Sequence, residues 1–310
     1  MNPQRILVTG AGGFVGGHLL PRLRAAFPAA EFLSTGAGPT ALDIADAAAV
    51  DALIRAHRPD ICIHLAAIAA VTAARDDPGR AWQVNLHGTL ALARAILAHA
   101  PGCVLLFASS AEIYGRSFRT GVPLTESAAA APMNLYAATK AAADLTLGAL
   151  AGEGLRSIRL RAFNHTGAGQ SDSFVVPAFA RQIAAIAGGR QPATMRVGAL
   201  DPQRDFLDVR DVCDAYVACI RRADDLPAAS IFNIASGTPR RIGDILAQLL
   251  AIAGVTAEVQ TNASLLRPSE IPVAAGDSAL ARAALGWAPQ IPWATTLADV
   301  YADWVRRGEV

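Results

Sequence analysis

Near the start of the chain a short apolar strand, Arg5–Thr9 (RILVT), runs into a glycine-rich turn that opens a helix predicted over 14–27. The turn reads Thr9-Gly10-Ala11-Gly12-Gly13-Phe14-Val15-Gly16. Glycines let the backbone reverse sharply and come close to a ligand, while the first N–H groups of a helix lack intrahelical acceptors and attract an anion. A tight strand–helix turn needs no ligand. The order strand, turn, helix is nevertheless the context in which such a turn cradles a pyrophosphate. An acid about 20 residues further on would mark NAD. The second strand instead ends Ser34-Thr35-Gly36, with no arginine close by for a 2′-phosphate, so NAD and NADP both stay open. Asp43 lies within reach of an adenine, or caps the helix that follows.

The rest of the first half alternates strand and helix. Apolar runs at 31–35, 41–44, 60–66, 102–109 and 155–162 are separated by helical stretches at 45–57, 79–100 and 136–151. Continuous apolar strands between helices predict an α/β fold: a doubly wound parallel sheet covered on both faces. After Phe163 the texture changes to a polar loop (164–173), helices at 176–187, 209–222, 241–253, 278–285 and 293–306, and short strands such as 231–234. We expect a dinucleotide-binding domain from 1–163 plus about 205–235. A smaller α/β substrate domain, from 164–204 and 236–310, would cap the carboxyl ends of the sheet, where ligands of open α/β sheets bind.

Composition narrows the possible partners. The chain has 310 residues, 53% of them hydrophobic and 17% charged, with a formal charge of +1. That excludes disorder as the dominant state and gives neither a nucleic-acid footprint nor a polybasic membrane patch. The longest nearly uncharged apolar run, 61–74, is shorter than the ~18–20 residues of a spanning helix. No apolar leader precedes the first strand, and Cys62, Cys103, Cys213 and Cys219 show no C-x-x-C spacing. Buried free thiols in a cytoplasmic protein, with no metal site, are expected.

Tyr136-Ala137-Ala138-Thr139-Lys140 places a phenol and an amine four apart on one helix face. Lys140 is the only lysine; every other one of the 27 basic residues is arginine. A compact ammonium can touch both a phenol and ribose hydroxyls, which a guanidinium cannot. Bringing a phenol from ~10 to ~7 takes about 4 kcal/mol. The ammonium, with a positive nicotinamide ring, is the expected source. Ser110, at the end of the 102–109 strand, is expected to hold a substrate oxygen opposite the phenol.

These residues resemble the extended short-chain dehydrogenase/reductase family over essentially the whole chain. The carrying motifs are TGAGGFVG (9–16), HLAA (64–67), VNLHGT (84–89), SSAEIYG (109–115) and YAATK (136–140). The resemblance implies a Rossmann sheet, a proton-transfer trio of Ser110, Tyr136 and Lys140, and NAD(P)(H) as cofactor. The cofactor would lie against Gly10, Gly12, Gly13, Phe14, Val15, Gly16, Thr35, Asp43, Ile44, Leu65, Ala66, Ala67, Asn85, Tyr136, Lys140 and Phe163. The segments FNHTGAGQ (163–170), FVVPAFARQI (174–183), QRDFLDVRDV (203–212) and LRPSEIP (266–272) are similar to the nucleotide-sugar branch, above all to GDP-6-deoxy-4-keto-mannose reductases. That similarity implies a nucleotide-diphosphate sugar, GDP-hexose favoured, held by Asn164, Val175, Arg181, Arg204, Arg267 and Glu270, and a homodimer. Arg204 and Arg267 are forked donors suited to a diphosphate; each also has carboxylates nearby in sequence.

Two departures matter. The loop Ile68-Ala69-Ala70-Val71 lacks the small hydroxyl residues common in relatives. Glu112 stands where dehydratases keep a base, so a 4,6-dehydratase or epimerase is the alternative to reduction of a sugar C4 ketone, and a cofactor-sensing protein without chemistry is a second. The histidines 18, 57, 87, 99 and 165 show no metal-ligand spacing, and Trp287 and Trp293 are expected to pack the C-terminal helices.

Overall fold

The computed structural model describes residues 2–36, 41–266 and 271–308. The apolar runs at 5–9, 60–66, 102–109 and 155–162 become parallel strands that are buried on both faces. In β1 (Arg5–Thr9), Ile6 and Val8 enter one apolar cluster and Leu7 the opposite one. Fully burying such a side chain is worth ~1.5–3 kcal/mol. The elements follow as α1 (Phe14–Ala26), β2 (Glu31–Ser34), α2 (Ala47–His57), β3 (Ile61–His64), α3 (Thr89–His99), β4 (Val104–Ala108), α4 (Leu135–Ala149) and β5 (Arg156–Ala162). The sixth strand, β9 (Ala229–Ile234), is delivered by a later helix, and the sheet order is β2-β1-β3-β4-β5-β9, parallel throughout.

The order reverses between β1 and β3. One crossover carries the chain to β2 and the next carries it back past β1, which opens a crevice above the carboxyl ends of β1 and β3. The crevice is therefore flanked by the glycine turn after Thr9 and the loop after His64.

The remaining elements form a smaller layered unit. β6 (Asn164–Thr166), β8 (Gln203–Asp208), β10 (Pro239–Arg241) and β12 (Val273–Ala274) share a second sheet, while β7 (Thr194–Val197) pairs with β11 (Glu258–Thr261). α5 (Val175–Ala187), α7 (Ile242–Ala253) and α8 (Trp293–Gly308) pack with these strands around a third cluster that includes Phe179, Ile183, Phe206, Leu246 and Leu297. α6 (Val209–Arg222) returns to the large sheet, against α1.

Two sequence expectations differ from the structure. Residues 41–44 form no strand: Asp43 accepts from the Ala45 N–H and Asp46 caps α2, so side-chain hydrogen bonds there replace a ladder. The helix expected over 79–100 contains a π-helical stretch, Gln83–Gly88. The wider turn sets the position of Asn85, and such stretches recur at functional sites. No helix among the described residues is long and apolar enough to cross a membrane.

Candidate active site

The floor of the crevice is a relay of hydroxyls and one imidazole. The Thr9 hydroxyl and His64 Nδ1 are 2.7 Å apart, and His64 Nε2 lies 2.9 Å from Thr89 Oγ1. Thr89 donates to the Asn85 carbonyl, so its oxygen accepts from His64 Nε2 and leaves Nδ1 to accept from Thr9. Burial, with the Lys140 ammonium adding to it, holds His64 down at about 3, so the ring stays neutral. The Asn85 carboxamide clasps the Ile68 backbone at both N–H and C=O and donates to Thr139 Oγ1 at 3.0 Å. One relay thus locks the start of the glycine turn, the loop after β3 and the helix face beside Lys140.

The glycine turn is held just as closely. Gly10 has φ +69°, and a Cβ there would lie 2.6 Å from the Ala66 nitrogen. A Cβ at Gly16 would lie 2.3 Å from the Ala11 carbonyl. Both positions need glycine for space, and Gly10 for its left-handed backbone as well. The Ala11 N–H donates to the Thr35 carbonyl, which ties the turn to the end of β2. α2, α4 and α6 have their first N–H groups capped by Asp46, Asn134 and Asp208. At α1 the N-cap is Gly13, with no side-chain cap and no acid in the first turn. Those N–H groups, at the mouth of the crevice, are left for an anion.

Across the crevice, α4 carries the phenol and the amine. Asn134 caps it by accepting from the Ala137 N–H at 2.8 Å. Lys140 is 3% exposed, its Nζ 4.3 Å from the centroid of the Phe107 ring, and no hydrogen bond engages it among the described residues. Burial pulls its pKa down to about 7, with Asp144 opposing. The Tyr136 ring is half-buried and its hydroxyl is closely surrounded. Burial pushes the phenol up to about 12, against a hydrogen bond with Ser110 and with the Glu112 charge adding to the rise. The expectation that Lys140 acidifies the phenol is therefore corrected. In the protein alone, loss of water outweighs every nearby charge, and the ammonium is itself desolvated.

Ser110 lies within electrostatic reach of the Tyr136 hydroxyl. It stands at the cap of the 3₁₀ segment Ala111–Thr120, its oxygen accepting from the Glu112 N–H at 3.1 Å. Glu112 is exposed, accepts from Asn134 Nδ2 at 3.2 Å, and acts electrostatically on both Tyr136 and Arg204. Arg204 on β8 donates to the Gln203 and Ile271 carbonyls rather than to Asp205 or Asp208. Asp205 is engaged by Ser236, Gly237 and Gly276, and Asp208 by Arg210.

The other candidates divide. Phe14, Val15, Leu65, Ala66 and Ala67 are partly exposed at the crevice, whereas Ile44 is buried behind it, against the backbone at Gly88. Asp43 is paired with Arg80 at 2.8 Å, which with the Ala45 bond holds its carboxyl below the usual value. Phe163 is 2% exposed and packs edge-on against Phe118, so its ring belongs to the core. Asn164 is exposed on β6, beside Phe206 in register. Val175 opens α5. Arg181 pairs with Asp172 at 3.0 Å and borders a separate cleft of about 570 Å³ with Gln182, Arg196 and Gln260, away from the trio. Arg267 and Glu270 lie outside the described residues. Sequence reasoning missed the Thr9–His64–Thr89 relay, because no motif spacing announces a hydrogen bond across 25 to 55 residues.

The uncapped α1 N-terminus and the buried, unbonded Lys140 ammonium fit a dinucleotide whose pyrophosphate meets the turn and whose ribose meets the amine. Residues 6–235 match the model of the NAD dependent epimerase/dehydratase family. The chain is 36% identical to the GDP-6-deoxy-D-mannose reductase of Pseudomonas aeruginosa, over 98% of each chain. It is 31% identical to the GDP-6-deoxy-D-talose 4-dehydrogenase of Aggregatibacter actinomycetemcomitans, over 88% of each. Among solved structures, RMD from Pseudomonas aeruginosa complexed with NADPH superposes with a TM-score of 0.88, at 36% identity and covering 98% of this chain and 99% of that one.

Proposed function

The chain belongs to the NAD dependent epimerase/dehydratase family, and from that premise we propose that it reduces the C4 ketone of a GDP-linked 4-keto-6-deoxyhexose, giving a GDP-rhamnose-type product. The observation that carries this reading is the placement of Tyr136 and Lys140 on one face of α4 opposite Ser110 at the end of β4. A reductase needs a proton donor at neutral pH, and a phenol that stays protonated in the free protein is available for that role. The likeness to a GDP-6-deoxy-D-mannose reductase supports the substrate.

The cofactor is NADPH in this reading. The second strand ends without an acid that would repel a 2′-phosphate, and a similar structure holds NADPH. When bound, the reduced dinucleotide supplies the hydride. Gly10 to Gly16 receive its pyrophosphate, and Lys140 hydrogen-bonds its ribose. Ser110 orients the sugar carbonyl oxygen, and Tyr136 gives its hydroxyl proton to that oxygen as negative charge develops. Because the charge develops only on the way to the alcohol, these two donors stabilise the transition state more than the bound ketone. Arg204, with Asn164, holds the diphosphate.

A 4,6-dehydratase or epimerase is the second reading, since Glu112 is exposed beside Tyr136. Incubation with the GDP-4-keto-6-deoxy sugar and NADPH, against GDP-mannose alone, separates them. Consumption of NADPH in the first identifies the reductase; a keto product in the second identifies the dehydratase. We further propose a cytoplasmic homodimer. Four free buried cysteines suit a reducing compartment, and small residues on α3 and α4, with Leu145 57% exposed, suit close helix pairing. In this reading 1–163 with about 205–235 bind the dinucleotide, and 164–204 with 236–310 bind the sugar.

A further inference from the structure

Arg240 on β10 stands directly opposite Arg204 on β8 in the antiparallel register. Directly opposed residues project from the same face with Cβ atoms ~4.5–5.5 Å apart, and like charges there repel. Arg204 lies within electrostatic reach of Glu112, which neighbours Ser110 in the chain. Arg240 is half-buried, and among the described residues no hydrogen bond or ion pair engages its guanidinium; its Nε is buried without an acceptor. The nearest carboxylate, Asp205, is taken up by Ser236, Gly237 and Gly276.

What holds Arg240 instead is a ring. Its guanidinium lies 4.9 Å from the centroid of Trp293, which in turn sits 5.6 Å from Phe206. The Trp293 Nε1 is likewise buried without a partner. Stacking fixes a guanidinium plane and leaves its N–H edge free for an anion. Two arginines share one face, one of them stacked in place with donors unused. A half-buried guanidinium such as that of Arg240, with its donors unused, is costly unless an anion completes it.

We propose that Arg240 is a second anion-binding residue, forming with Arg204 a two-armed cationic seat for the diphosphate of the nucleotide sugar, with Trp293 as the plate that orients it. The inference rests on the nucleotide-sugar reading and deepens it. A diphosphate bridges two guanidiniums; a monophosphate reaches one. The nicotinamide dinucleotide, with its pyrophosphate at the α1 turn, does not engage Arg240.

The test is calorimetric titration of the whole protein with GDP, GMP and NADPH, comparing Arg240→Gln and Arg240→Lys with the unmodified chain. The expected result for Arg240→Gln is GDP binding weakened ~10–100-fold, GMP weakened much less, NADPH unchanged, and KM raised with kcat near its original value. Arg240→Lys recovers part of the GDP affinity and keeps a cation over the ring if the glutamine variant does not fold. GDP affinity within about twofold of the original in the folded variant overturns the inference alone. Equal loss of GDP and NADPH binding also overturns it, because it marks general damage to the fold. No GDP binding by the unmodified chain overturns the nucleotide-sugar reading as well.

Discussion

The Asp144 carboxylate accepts a 2.5 Å hydrogen bond from the Ser109 hydroxyl, joining α4, which carries Tyr136 and Lys140, to the end of β4, which presents Ser110. Asp144 is wholly buried and also holds Arg159 and Arg161, with Nη to Oδ1 distances of 3.2 and 2.8 Å. Arg161 continues the network to the Tyr114 hydroxyl, and Tyr114 to Asn233 on β9. Ser110, Tyr136 and Lys140 are thus joined through one buried charge cluster on α4, β4 and β5.

Removing the Asp144 charge leaves two buried guanidiniums with reduced compensation. Asp144→Asn is expected to destabilise the protein by about 3–5 kcal/mol, seen as a lower denaturant midpoint in equilibrium unfolding. Ser109→Ala removes one bond and is expected to cost about 1–3 kcal/mol. A midpoint for Asp144→Asn equal to that of the unmodified protein contradicts the cluster's role.

Lys140 gives a prediction whose sign follows from its lowered pKa. The unfolded chain keeps the ammonium in water up to about 10.5, while the folded chain holds it only up to about 7. Below pH 7 the folded state therefore carries the full cost of burying a cation. That cost shrinks as pH rises from about 7 to 10.5 and is absent above. Lys140→Met removes it, so the variant is expected to melt several degrees higher than the unmodified protein at pH 6. The gap narrows towards pH 10, and turnover is lost. A gap that widens with pH is the opposite result.

The glycine turn allows a steric prediction. Gly16→Ala places a methyl against the Ala11 backbone, at 2.3 Å from its oxygen, where nothing flexible can yield. The turn must shift, and fluorescence titration is expected to show NADPH binding weakened at least ~100-fold. Gly17→Ala, one residue on, meets nothing within 4 Å and is the control.

Much of this was legible in the sequence. The parallel sheet followed from the apolar runs because strands buried on both faces cannot alternate with polar residues. The glycine turn, Tyr136, Lys140 and Ser110 were readable because local spacing fixes them on one turn, one helix face and one strand end. Residues 41–44 misled because a short apolar run can be held by Asp43 and Asp46 side chains as well as by a ladder. The state of Tyr136 was not readable, since burial depends on everything packed around the hydroxyl and the sequence names only the nearest charge. Arg240 and the Thr9–His64–Thr89 relay join residues far apart in the chain, and only the folded register brings them together.

Burial pushes the Tyr136 phenol up to about 12 in the protein alone, so the free protein holds it protonated. A protonated phenol serves reduction, whereas oxidation of the sugar alcohol needs the phenolate. The reverse oxidation is expected to climb with pH from about 6 to 9, while reduction changes over that interval only as Lys140 loses its proton near 7. A reverse oxidation that does not rise with pH is the contrary outcome.

The most direct test follows NADPH consumption with the GDP-4-keto-6-deoxy sugar by the unmodified protein and by Tyr136→Phe, each first shown to bind NADPH. The account predicts turnover by the former and a kcat lower by about 10²–10⁴-fold in the latter, with NADPH affinity retained. Equal turnover by the two proteins, or none by the unmodified one, contradicts it.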